Sequence, residues 1–136
     1  MAKEIRYPPP SADWETRAFF EGAARGELVL QRCRACGTVQ HRPRALCVTC
    51  LSDGIVHFVA SGRGTVHTFT VTHQNQAPGF RDACPYVLAY VELEEGPRLL
   101  SNVVGCDPAS VRIGMPVQVA FAGTEGEFPV PVFRPA

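Results

Sequence analysis

The chain has 136 residues, 46% of them hydrophobic and 19% charged. That composition excludes intrinsic disorder and fits one domain, or two small modules sharing a core. The formal net charge is zero, which excludes a global pull toward nucleic acid or an anionic membrane. The two parts differ: residues 1–56 carry eight Lys/Arg against six Asp/Glu, and residues 57–136 carry five against seven. The longest apolar run, in "YVLAYVEL", is far below the ~20 residues a spanning helix needs. "MAKEIRYPPPS" lacks the apolar segment of a secretory signal. The expectation is a cytoplasmic protein without a membrane span, in a compartment where paired Cys-x-x-Cys motifs favour metal over structural disulfides.

In chain order, "YPPP" reads as a stiff polyproline-like approach. "SADWETRAFFEGAARG" reads as a helix, with Ser11 or Asp13 as its cap and Gly26 as its end. Trp14, Phe19 and Phe20 are a large apolar load for a short terminal helix. They either pack on their own domain or dock on a partner. "ELVLQRC" is a short strand leading into the cysteines, and "LSDG" after Cys50 is a turn. From Ile55 onward the chain is mostly β: "IVHFV", "TVHTFTVTH", "YVLAYVEL", "RLLSNVV", "PVQVAF" and "FPVPVF" are rich in Val, Thr and aromatics. "CDPASVRIGMPV" interrupts them, with Asp107 or Pro108 placed to open a helical turn. About five strands, with one short helical element before the fourth or fifth, predict a small Greek-key barrel of the OB type. The fold class is therefore mainly β: an N-terminal helical arm over 1–26, a four-cysteine ribbon over 27–56 and a five-stranded barrel over 57–136.

"QRCRACGTVQHRPRALCVTC" holds four of the six cysteines as two Cys-x-x-Cys pairs, Cys33 with Cys36 and Cys47 with Cys50. Each pair lets two thiolates converge on one ion, and two pairs fill a tetrahedral shell. Gly37 follows the first pair, where a sharp turn is needed. The pattern favours a structural Zn²⁺, with iron in a rubredoxin-like site as the alternative. No βαβ pattern surrounds either pair, which argues against thioredoxin-like redox chemistry. Arg32, Arg34, Arg42 and Arg44 offset the negative charge of four thiolates on Zn²⁺. They also suit a patch for phosphates, either a nucleic-acid backbone or coenzyme A. Cys106 reads as a buried apolar thiol, and Cys84 sits in a loop with no identifiable base. His67 and His73 are six residues apart and on a regular strand share a face with Phe69 and Val71. His73 opens the long loop "QNQAPGFRDACP", and such loops often carry function.

Taken in order, the aromatic helix, "LVLQRCRACGTVQHRPRALCVTC", "SGRGTVHTFTVTH", "PGF", "PYVLAYVELEEGPRLLSNVVGC", "IGMPVQVAF" and "PVFRPA" resemble the DUF35 family over roughly residues 14–135. The resemblance implies a rubredoxin-like zinc ribbon followed by an OB-fold. It also implies action beside thiolase-like or hydratase-like enzymes on acyl-CoA substrates, in thiolysis, steroid side-chain aldol cleavage or acyl transfer. On that reading the chain is a non-catalytic accessory subunit of a hetero-oligomer. The partner supplies the nucleophile and acid/base groups, and the Trp14–Phe20 helix docks. Arg42, Arg44, His73, Gly79 and Phe80 are then candidates to meet acyl-CoA or the partner. The competing reading is a single-stranded nucleic-acid-binding ribbon/OB protein. A net charge of −2 on the barrel half, and aromatics not interleaved with Lys/Arg, weigh against it. A free-standing enzyme would need an assembled nucleophile, base and oxyanion donor, and the sequence offers no such set.

Overall fold

A computed structural model describes residues 3–136. One helix, α1 (Arg17–Ala24), precedes a three-stranded antiparallel sheet of β1 (Val29–Cys33), β2 (Val39–Gln40) and β3 (Ile55–Val59), in the order β2-β1-β3. Five strands then close a barrel: β4 (Arg63–Thr72), β5 (Tyr86–Leu93), β6 (Arg98–Val103), β7 (Pro116–Ala122) and β8 (Val130–Pro135). The barrel order is β4-β5-β6-β8-β7. β6 and β8 run parallel and meet at Val103 and Phe133; the other barrel pairs are antiparallel. A 3-10 turn at Pro108–Ser110 joins β6 to β7, and Asp107 caps it by accepting the Ala109 N–H at 3.0 Å. Among the described residues no helix is long and apolar enough to cross a membrane.

Alternation along β5 explains the barrel's inside. Val87, Ala89, Val91 and Leu93 are buried while Leu88, Tyr90 and Glu92 face out, as a period of two requires. One core cluster joins Val66, Val91, Val117 and Phe133 of the barrel to Phe19 of α1, Leu28 and Leu30. Helix, sheet and barrel thus share a core.

Three local readings change. The helix starts late: Asp13 Oδ1 accepts the Thr16 N–H at 2.9 Å and its hydroxyl at 3.0 Å, closing a turn that leaves Trp14 outside α1. "IVHFV" pairs along its whole length with β1, not with the barrel. His67 does not share the face of Phe69. The β4–β5 register shifts between Val66 and Thr68, a bulge that leaves one residue unpaired and resets the alternation. His67 is exposed, while Phe69 is half-buried.

Residues 3–7 strap one end of the barrel. Lys3 N–H donates to Asp82 O and Arg6 N–H to Gly79 O, both at 3.0 Å, and Tyr7 bridges to Thr124.

Candidate metal centre and barrel-mouth cavity

The two knuckles repeat one backbone scheme. In the first, Cys33 N–H donates to Thr38 O and Gly37 N–H to Cys33 O, both at 2.9 Å. In the second, Cys47 N–H donates to Ser52 O at 2.9 Å and Leu51 N–H to Cys47 O at 3.0 Å. The offsets are identical, and the first cysteine of each knuckle is buried while the second is exposed. β1 delivers Cys33, and the loop after β2 delivers Cys47.

The four Sγ atoms lie within 4.8 Å of one another. Cys33 and Cys50 stand 3.6 Å apart, as do Cys36 and Cys47. A tetrahedral ion bonded to sulfur at about 2.3 Å needs its ligands ~3.8 Å apart, so the donor set fits. All four thiols are unlinked. Backbone N–H groups point at the sulfurs, Thr49 N–H reaching Cys47 Sγ at 3.4 Å. The Cys50 and Thr49 amides draw the Cys47 thiol down to about 6, and the Cys36 and Ala35 amides lower that of Cys33. The first cysteine of each knuckle thus favours the thiolate, the form that binds metal. At Cys50, by contrast, the Ser52 amide is outweighed by desolvation and the three neighbouring sulfurs, which push the thiol up to about 12.

The arginines around the knuckles are exposed. Arg32 lays its guanidinium over the Phe58 ring, 4.3 Å from the centroid, and Arg44 Nη1 donates to Pro43 O at 3.3 Å. Arg42 and Arg44 occupy the loop between β2 and the second knuckle. Gly79 and Phe80 lie at the strapped end of the barrel. Among the described residues no hydrogen bond or ion pair joins the two sets. Gly79, at φ +87°, lies so close under the strap that a Cβ there would meet Arg6 O. Phe80 is held between Tyr7 and Tyr86, with ring centroids 6.1 and 5.7 Å away. His73, just past β4, is exposed. Of Trp14, Phe19 and Phe20, Phe19 is buried against Phe20 and His41, and Phe20 packs on Phe128. Trp14 is 77% exposed. Cys84 and Cys106 are both half-buried; the Cys84 thiol donates to Phe80 O at 3.5 Å.

A cavity of about 990 Å³ opens between strap and barrel, lined among others by Tyr7, Tyr86, Val103, Cys106, Phe121 and Arg134. Tyr7, which the sequence alone did not single out, donates its hydroxyl to Asn102 Oδ1 at 2.7 Å. Burial, then Tyr86, pushes its phenol up to about 12. Its one sequence signal is an aromatic ring directly before a proline run.

Comparison with known proteins matches both halves. Residues 20–56 match "ChsH2, rubredoxin-like zinc ribbon domain" and residues 59–122 match "ChsH2, C-terminal OB-fold domain". A probable enoyl-CoA hydratase alpha subunit of Thermomonospora curvata is 41% identical over 129 residues; they make up 95% of this chain and 40% of that one. The chain thus spans less than half the length of that curated relative. A DUF35 domain-containing scaffold protein of Methanothermobacter thermautotrophicus is 39% identical over 98 residues, 71% of this chain and 73% of that one. Among solved structures, a chain of an "Ltp2-ChsH2(DUF35) aldolase" is 40% identical with a TM-score of 0.84, over 93% of this chain and 98% of that one. With both of its halves matched in order, the chain belongs to the DUF35 family of zinc-ribbon and OB-fold proteins.

Proposed function

We propose that this chain is a non-catalytic accessory subunit. It binds a thiolase-superfamily partner and helps form a site for an acyl-CoA undergoing thiolysis, aldol cleavage or acyl transfer. The observation that carries this reading is the likeness to the aldolase-complex chain, at 40% identity over 98% of its length. The enoyl-CoA hydratase alpha subunit supports an acyl-CoA setting, and the scaffold relative supports an accessory role.

Cys33, Cys36, Cys47 and Cys50 would hold a structural Zn²⁺. The ion would cross-link the two knuckles, and four protein sulfurs leave it no open position for water or substrate. Six free thiols suit a reducing compartment, the cytoplasm on this reading. Trp14 is the exposed aromatic offered to the partner. Arg42 and Arg44 are exposed groups for the phosphates of coenzyme A, and His73 opens the loop that carries Gly79 and Phe80. Gly79 and Phe80 shape the strapped end of the barrel, beside a cavity whose walls mix Val103, Phe121 and Val132 with Lys3, Glu4, Asp107 and Arg134; its apolar part suits a pantetheine arm.

The test is to assay the pure protein on a panel of acyl-CoA thioesters, alone and then with a thiolase-like protein encoded beside it. Turnover only by the reconstituted complex is expected. Robust turnover by this protein alone, abolished by substituting Cys84 or His73, would make it an enzyme in its own right.

A further inference from the structure

Gln31 and Gln40 face each other across β1 and β2 and are only 3% and 5% exposed. A buried primary amide is unfavourable unless its polar atoms find partners. Here they find them on one irregular segment, residues 44–48. Gln40 Oε1 accepts the Val48 N–H at 3.0 Å, and its Nε2 donates to Leu46 O at 3.2 Å. One side-chain amide therefore grips the backbone on both sides of Cys47. Gln31 grips Arg44 in the same way, accepting its N–H and donating to its C=O, both at 2.9 Å. The pair is tied together by Gln40 Nε2 donating to Gln31 Oε1 at 2.8 Å.

The orientation of each amide is fixed by chemistry. A backbone carbonyl only accepts and a backbone N–H only donates, so flipping either glutamine would set like against like. The second Gln31 N–H faces His57 Nε2 at 3.4 Å, and both Gln40 amide hydrogens are used. The two amides serve residues 44–48 as a neighbouring strand would. Glu15 adds one more tie, accepting the Ala45 N–H at 2.7 Å.

We propose that Gln40, backed by Gln31, is a positioning residue for the four-cysteine site, holding Cys47 at ligand distance by clamping the backbone before and after it. The proposal rests on reading the cysteines as a metal centre. A preformed ligand loses less freedom when the ion binds and recoils less when a bond to it breaks, so the clamp slows metal loss. Partners that orient a ligand in this way typically change metal affinity about 10–100-fold when removed.

The test uses the full chain loaded with zinc, its metal content measured first. Zinc transfer to a chromophoric chelator is timed for the parent, Gln40→Leu and Gln40→Glu. Gln40→Glu keeps the acceptor for Val48 and loses both donations, so it answers the question if Gln40→Leu does not fold. Ser101→Ala is the control. It removes a buried hydroxyl bonded to Pro131 O at 2.9 Å in the barrel, away from the knuckles. About 10–100-fold faster release from the Gln40 variants, with Ser101→Ala at the parent's rate, is expected. Release from the Gln40 variants within twofold of the parent overturns the clamp, as does equal acceleration in Ser101→Ala. A parent without stoichiometric metal overturns the metal reading itself, and the two failures are told apart.

Discussion

Gly37 and Leu51 occupy the same position in the two knuckles, four residues after Cys33 and Cys47, and both hold positive φ, 79° and 64°. Each donates its N–H back to the cysteine that opens its knuckle. Glycine adopts this conformation freely; a residue with a Cβ pays roughly 1–2 kcal/mol for it. Leu51 is the one non-glycine residue at positive φ among those described, and its side chain is 71% exposed. Leu51→Gly should therefore raise stability by about 0.5–1 kcal/mol after glycine's own entropic cost. Leu51→Val, branched at Cβ, should lower it. Urea unfolding of the metal-loaded protein measures both.

Removing a ligand tests how far the ribbon depends on metal. Cys47→Ser should lose the ion and disorder the knuckles. β1 and the barrel should persist, because Leu30 and Phe133 belong to one core cluster that the knuckles do not enter. Hydrogen exchange mapped by mass spectrometry should rise over residues 33–54 and stay low in β5. Exchange rising throughout would show that ribbon and barrel fold as one metal-dependent unit.

His41 gives the protein an acid-sensitive point. Burial, with Arg42 and Arg44 adding to it, lowers its ring to about 4 from 6.5, and its Nδ1 is buried without a hydrogen-bond partner. The folded pKa is depressed, so below pH 6.5 the unfolded chain takes up a proton that the folded chain refuses. The His41 contribution is intact above pH 6.5, is lost as pH falls toward 4, and levels off below that. The loss should reach about 3 kcal/mol. In His41→Phe, which keeps a ring against Phe19, melting temperature should fall less steeply over that window. Parallel curves for the two proteins would dismiss the histidine as the cause.

The strap over the barrel end depends on Gly79. Any Cβ there collides with Arg6 O, and the positive φ disfavours one as well. Gly79→Ala should lift residues 3–7, breaking the Arg6 bond to residue 79 and parting Tyr7 from Phe80. Trypsin should then cut after Lys3 and Arg6 several-fold faster, with cleavage beyond the strap unchanged. Equal rates in parent and variant would mean that the strap does not need this contact.

The barrel was legible because its strands alternate. "YVLAYVEL" shows the period of two on its face, and β5 runs from Tyr86 to Leu93. The metal pattern was legible for a different reason: thiolate chemistry forces a short, fixed spacing. Partnership between strands is a tertiary choice, so "IVHFV" gave no sign that it would join β1. The bulge at His67 is one unpaired residue inside an unbroken run of strand formers, and no turn residue marks it. Gln31 and Gln40 read as ordinary polar residues, since their partners are backbone atoms of residues 44–48 that no side-chain pattern reveals. In sequence Trp14, Phe19 and Phe20 are a large apolar load on one short helix, but a turn closed by Asp13 and Thr16 separates the first from the other two.

The chain contains one tryptophan, and the fold leaves it in water at the edge of the molecule. Trp14 is therefore a built-in optical reporter. Emission from the isolated chain comes from a hydrated indole in a single environment, with no second fluorophore of its kind to blur the signal. When a partner covers that corner, the emission should move to shorter wavelength, and titrating an all-phenylalanine version of the partner would give the affinity without a label. A partner that binds without moving the emission must sit elsewhere on the surface. One residue thus turns the question of where the complex forms into a spectrum.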